Sequence, residues 1–418
     1  MNIHAGRVQT AGETALLSLY EQRMGALPGN PDVAAARDIA VDALRTQGLP
    51  TRRIESWHYT DLRTLLRALP EGANVARSIA PLVDGSTVLV LEDGVAIGGK
   101  GPDGVTVSTI AGKLEDGTFV KALGARGFDD TVGQINTSLV SDGYHIAVAD
   151  GSELAKPLEI QVLAGSGSHT RVALNIGKGA KLTLVERHPD ADSFVSAVSN
   201  VVVGDGAEVT WVIDQERGDK AVQFGQFNAH IGKNAKLVLF IINAGGKLVR
   251  QEVHVAAKGE GSDFKLRCVN LIGGEAHIDV TMTLTHEVES TTSTEVVRNV
   301  VTGKGRGVFQ GQIKVFPVAQ KTDAKMACNT LLLSDDGEFS AKPELEIFAD
   351  DVACGHGATV REVEGQHLFY LMARGIPEVQ ARGLLVKAFV AEIIEELEDE
   401  ALVDALETRL ANWLEKNA

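Results

Sequence analysis

The sequence predicts a mainly β protein, a right-handed parallel β-helix (solenoid) core flanked by N-terminal and C-terminal α-helical domains. Three observations lead there. Residues 1–84 and 366–418 carry apolar residues at helical spacing. Residues 85–365 are dense in glycine and alternate Val, Thr and Ile with polar residues, which is strand-and-turn composition. That middle region also repeats: "IGKGAKLTLV" from Ile176, "VGDGAEVTWV" from Val203 and "IGKNAKLVLF" from Ile231 start 27 and 28 residues apart. A period of this length marks a solenoid whose units stack because none can bury its own face. Each unit places glycine or asparagine at a turn that needs positive φ. Looser copies are expected at 255–269 and 301–315. A sandwich of about eight strands would not produce a repeated turn sequence at this spacing.

Taken in order, the N-terminal elements are helices over 13–24 and 31–48, the second with Pro31 at its first position and Gly48 as its stop. In "LPTRRIESWHYTDLRTLL" (49–66), Trp57 and Tyr59 are expected to pack this lobe onto the adjoining region of the chain. "GVAIGGKG" (94–101) nearly matches a phosphate-binding loop. It fails at Gly101, where Ser or Thr should hold magnesium, and runs into Pro102-Asp103-Gly104 instead of a helix. After the core, "GQHLFYLMARG" predicts a helix ending at Gly375, with Phe369 and Leu371 packed inward. A second helix starts near Pro377 and carries Leu384, Leu385, Ala388, Phe389, Ile393 and Leu397 as its apolar stripe. "ALVDALETRLANWLEKNA" forms a third. A solenoid has open ends that invite edge pairing, and these helices are suited to covering one of them.

Composition narrows the partners. A formal net charge of −16 over 418 residues argues against nucleic acid, which needs a concentrated basic surface. Much of the acid is local, since "EIIEELEDE" (392–400) alone holds six carboxylates on a helix face. Three scattered cysteines form no disulfide framework, no secretory leader is visible, and no apolar run has membrane-spanning length. The expectation is a cytoplasmic protein with reduced thiols and no membrane partner.

One stretch concentrates reactive side chains: "FADDVACGHGATV" (348–360). On an extended strand, Cys354 and His356 project to the same side, so thiolate and imidazole could face one ion. A closed tetrahedral site needs four ligands and this stretch offers two soft ones, so the remainder must come from elsewhere, another subunit included. A Cys–His nucleophilic pair is conceivable, but i, i+2 geometry does not bring the imidazole against the sulfur. β-Helices also serve as polysaccharide lyases and hydrolases, which need convergent carboxylates. Asp350 and Asp351 are adjacent and on a strand would point to opposite faces. That enzyme and a purely structural β-helix homodimer stay open as alternatives. Cys268 and Cys328 lie in strand-like segments and are expected to be buried structural thiols.

The segment "NTLLLSDDGEFSAKPELEIFADDVACGHGATV" (329–360), continuing into "LFYLMARGI" (368–376), resembles the signature of the SufD branch of the SufB/SufD family, iron–sulfur cluster assembly proteins of the Suf system. "LPTRRIESWHYTDL" is similar to that family's N-terminal basic–Glu–Trp–Tyr-Thr segment. "HGAT", where the SufB branch typically has "HEAT", favours the SufD branch. The chain departs at Gly355 and at Ala373, where the family commonly has Ser. The resemblance implies a non-enzymatic scaffold that pairs with SufB through the β-helix ends and receives the SufC ATPase on its C-terminal helices; whether the isolated chain forms a homodimer stays open. It implies no tightly bound cofactor, but a transient iron or iron–sulfur cluster shared with SufB. Cys354 and His356 would lie at that interface, with His356 the stronger candidate. Phe369, Tyr370, Leu371, Arg374 and Gly375 would belong to the ATPase contact.

Overall fold

The computed structural model describes residues 8–72, 79–127, 129–165 and 167–417. The chain alternates between two sheets, one of ten strands and one of nine, so that each rung of a parallel solenoid takes one strand from each. The repeat read from sequence is this rung: Ile176, Val203 and Ile231 are register partners on successive strands of the nine-stranded sheet. The turn after each has Gly179, Gly206 and Asn234 at φ +64°, +68° and +51°, the left-handed conformation the repeat demanded. The Asp205 carboxylate accepts from the Lys233 N–H of the next rung at 3.0 Å, as Asp150 does from Lys178 at 2.7 Å. The copy at 255–269 lies on this same corner, with Ala257 taking the register of Ile231. The copy at 301–315 lies on the opposite corner, where the chain passes from the ten-stranded to the nine-stranded sheet.

Inward positions stack Leu184, Trp211, Leu239 and Leu266 in register along one wall, all fully buried. The alternate outward positions of the same strands, Val185, Val212, Phe240 and Ile242, are buried too, because helices cover that face. The ten-stranded sheet is covered by the C-terminal helices Glu378–Ile394 and Glu400–Asn417 through Val386, Val390, Ile393, Leu402, Leu406 and Leu410. Ion pairs of Arg267 with Glu396 at 2.6 Å and Arg409 with Asp214 at 2.9 Å tie the same seam.

Three expectations change here. The C-terminal helices lie along the flank of the solenoid, not across its end, so the last rung stays uncovered among the described residues. Of the expected stripe, Phe389 and Ile393 in Glu378–Ile394 and Leu397 just after it pack on the sheet, but the contact otherwise runs through Val386 and Val390, and Leu384 is 51% exposed. This helix is apolar around more than half its girth, so spacing alone does not choose its face. The 85–365 region is also not all strand. Helices Ile110–Glu115, Val120–Leu123 and Thr131–Leu139 interrupt it, the last with Val132, Ile135 and Leu139 buried against the N-terminal lobe and Asn136 accepting from the buried Arg171 at 2.7 Å.

The N-terminal helices are Ala11–Arg23, closed by a Thr10–Glu13 capping box, and Pro31–Gln47, capped by the Asn30 side chain and stopped at Gly48 with φ +73°. From this lobe the 49–66 segment runs across the outer face of the nine-stranded sheet. As expected, Trp57 packs it down: its indole is 1% exposed and lies under the Arg250 guanidinium, 4.1 Å from the ring centre. Arg250 also donates to Ser56 O at 2.8 Å and pairs with Asp279 at 2.5 Å and Glu252 at 3.1 Å. Gln310 donates to Ser56 O at 3.0 Å, and Lys342 on the last strand of this sheet pairs with Glu55. The segment is thus a strap from the N-terminal lobe to the final rung.

Candidate functional site: the open end of the solenoid

The two ends of the solenoid differ. At the first, short antiparallel strands Val95–Ala96 and Val105–Thr109 finish the sheets. At the last, strands Glu338–Ile347 and Ala353–Glu362 are the terminal members of their sheets, with one edge each unpaired among the described residues. Ile347, Phe348 and Val360 are exposed there. Long exposed edges of this kind pair with other chains unless something blunts them.

Cys354 and His356 sit on this terminal strand. Their register partners on the strand behind are Ala324 and Met326, both inward and buried, so thiol and imidazole share one side, as i, i+2 spacing required, and that side continues the inward files of the solenoid. Gly355 between them is on the other side, where an added Cβ would meet nothing within 4 Å, so the serine common in the family would fit without strain. Cys354 is half-buried and packs against the end of the core, whereas His356 is exposed. Burial pushes the Cys354 thiol upward, and the Asp323 and Glu295 charges add to this. Among the described residues no three side chains of His, Cys, Asp or Glu gather where they could hold an ion. Cys354 and His356 thus offer two donors on this chain, too few for a closed site. Asp350 and Asp351 lie in the turn before the strand, not on it. Cys268 and Cys328 are fully buried inward thiols, as expected, and burial pushes Cys328 to about 12.

The second predicted region stands apart from the core. The helix Gly365–Ala373 buries no residue against the rest of the chain. Phe369 is 73% exposed and Tyr370 56%, and Leu371 is half-buried, so the expected inward packing of Phe369 does not occur. The Arg374 guanidinium stacks over Tyr370 at 4.4 Å, and Gly375 turns the chain at φ +88° into the next helix. With Met372, Val379 and Leu384 also exposed, this hairpin presents apolar side chains with no partner among the described residues.

Sequence reasoning missed the residues behind the terminal strand. Glu295 lies inward, fully buried, two strands back in the file that ends at His356. Met326 lies between them, in a space that Gly311 keeps open: a Cβ on that glycine would come within 2.5 Å of the Met326 sulfur. The signal was in the repeat, since Ser293 and Glu295 take the inward positions that Phe264 and Leu266 hold one rung earlier.

Known proteins resemble this chain over most of its length. Residues 160–389 match the family model described as "SUF system FeS cluster assembly, SufBD core domain". The iron–sulfur cluster assembly protein SufD of Escherichia coli is 30% identical over 388 residues, 89% of this chain and 90% of that protein. A SufBD family protein of Synechocystis is 24% identical, over 93% of each chain. Protein ABCI7, chloroplastic, of Arabidopsis thaliana is 24% identical over 93% of this chain and 88% of its own length. The chain therefore belongs to the SufBD family of SUF-system iron–sulfur cluster assembly proteins and is of the SufD type.

Proposed function

We propose that this chain is a non-enzymatic scaffold subunit that pairs through its open solenoid end with a SufB-type chain and there contributes Cys354 and His356 to a nascent iron–sulfur cluster or its iron. The observation that carries the reading is the terminal strand itself. It has a free backbone edge, so a partner strand can extend the sheet, and two soft donors face inward beside that edge. A site with too few ligands at a surface built for pairing is completed by the partner. His356, exposed and neighboured by glycines, is free to reach across, whereas Cys354 is partly held in the core end.

The Gly365–Ala373 hairpin is the docking surface for a SufC-type ATPase. Its apolar side chains are exposed with no partner among the described residues, and the helix after it rests on the solenoid flank. Phe369→Asp should abolish co-purification of the ATPase and leave the paired solenoids intact. Retention of the ATPase by that variant would refute this placement.

The test of the whole reading is purification of the tagged chain from native lysate. A SufB-type chain and an ABC-type ATPase should accompany it in fixed proportion. His356→Ala should keep both companions and the circular-dichroism spectrum while lowering cluster reconstitution on the complex by at least about tenfold, the scale at which a lost metal contact acts. Normal cluster formation in that variant would remove His356 from the site, and recovery of the chain with neither companion would remove the scaffold role.

A further inference from the structure

A cavity of about 520 Å³ lies at the corner where the chain passes from the ten-stranded to the nine-stranded sheet. Three successive turns line it, and 216–221 is longer than 244–247 and 273–276 on the next two rungs. The last turns of helix Glu400–Asn417 form the facing wall. Helix and turn meet at Gly273, where an added Cβ would overlap Asn417 Oδ1. At Gly274 an added Cβ would meet nothing within 4 Å, so the space opens there. The charges around this space are unequally committed. Arg409 is held by Glu216 at 2.7 Å and Asp214 at 2.9 Å. The ammonium groups of Lys220, Lys247 and Lys416 make no hydrogen bond or ion pair among the described residues, in a chain of net charge −16. The carboxylates of Asp219 and Glu275 at the same cavity are also unpaired there. Burial, and after it the Asp214 charge, pushes the Glu216 carboxyl up, so that wall opposes an entering anion less than its residue types suggest.

We propose that this recess binds a small hydroxylated phosphate ester of the sugar-phosphate class, with its phosphate held by Lys220, Lys247 and Lys416 and its hydroxyl groups donating to Asp219 and Glu275. A concave space of this volume is in the range of small-molecule sites. Lysine serves phosphate as a point charge, and uncommitted ammonium groups meet it at no cost in broken ion pairs. Bare phosphate would leave Asp219 and Glu275 facing an anion, whereas an ester that carries hydroxyl donors turns the same two carboxylates into acceptors. None of the cavity's described lining residues belongs to the terminal strands or to the Gly365–Ala373 hairpin, so the site is separate from the pairing end and from the ATPase contact. A ligand seated there touches three solenoid turns and the helix Glu400–Asn417 at once, and binding should raise the stability of their union.

The probes are glucose 6-phosphate and inorganic phosphate, added to the full chain at neutral pH and low salt and followed by calorimetry and by thermal unfolding. Glucose 6-phosphate should bind about tenfold or more tightly than inorganic phosphate, the scale of one hydrogen bond to a charged group. Lys247→Ala should weaken the ester by about tenfold, and the triple variant with Lys220→Ala and Lys416→Ala should abolish its binding. Circular dichroism should stay unchanged, since these ammonium groups hold nothing in the free chain. Glu275→Gln should weaken the ester and leave inorganic phosphate as tight as before or tighter. Equal binding of the ester by the wild-type chain and the triple variant overturns the site. Inorganic phosphate that binds as tightly as the ester overturns the ligand class. Neither heat nor a thermal shift with either probe at millimolar concentration overturns the whole proposal.

Discussion

Replacing Glu295 by glutamine should change stability little near pH 4 and raise it by roughly 3–5 kcal/mol above about pH 8. Burial drives the Glu295 carboxyl up from 4.5 to about 8, against smaller lowering contributions from Ser293 and Arg267. The sign comes from proton counting. Between these two values the folded chain keeps the Glu295 proton and the unfolded chain has released it, so the unfolded state gains as pH rises. Wild-type protein thus loses the contribution progressively from about pH 4.5 to 8, and the glutamine variant has no such proton to lose. The difference between the two chains isolates Glu295 from every other titrating group they share. Urea titrations of both proteins across this range measure it. A difference independent of pH would show that the carboxylate is hydrated or paired. A gain of this size from one substitution is unusual, because most substitutions destabilise.

How far the sequence discloses this molecule depends on which interactions are local. The solenoid was legible because a rung repeats its turn chemistry: Gly179, Gly206 and Asn234 recur at one corner and each needs positive φ. Projection of Cys354 and His356 to one common side came from strand geometry alone, and the register with Ala324 and Met326 shows that side to be the inward one. Glu295 was hidden among alternating residues of "TSTEVVRNVV", where Glu at a polar-looking position reads as outward. Only the pairing of Thr292–Val301 with Asp263–Ile272 shows that it faces the core. The face used by Glu378–Ile394 and the exposure of Phe369 are tertiary facts of the same kind. A helix that is apolar on two sides can pack by either, and the sheet it meets is distant in sequence.

The strap supplies the second large effect. Arg250→Ala should destabilise the chain by roughly 3–5 kcal/mol at neutral pH, because it leaves a buried ion cluster without its cation. Arg250 is fully buried, and although burial pushes its guanidinium downward, Asp279 and Glu252 outweigh that and the net shift is up. Glu252 is correspondingly held at about 2, with Arg250 the largest of the charges that overcome its burial. A carboxylate depressed in the folded state stabilises above its unfolded value and stops doing so as pH falls through its folded one. The penalty of the alanine variant should therefore be largest near pH 7 and shrink as pH falls, first as burial makes the uncompensated carboxylates of the variant take up protons and then as Glu252 of the wild-type chain loses its ionised pair toward about 2. Arg250→Lys should recover the charge but not the fork that spans Asp279, Glu252 and Ser56 O, and so only part of the loss. Local release has its own signature. Trp57 loses the cation over its indole, so emission should shift to the red and protease should cut within 51–60 in the alanine variant. Trp211 and Trp413 are buried elsewhere and should report no change until the whole chain unfolds. Emission that stays blue in a destabilised Arg250→Ala chain would show that packing and the contacts of Gln310 and Lys342 hold the strap without Arg250. A red shift would instead show that this guanidinium fastens the middle of the strap, which Gln310 and Lys342 also meet at Ser56 and Glu55.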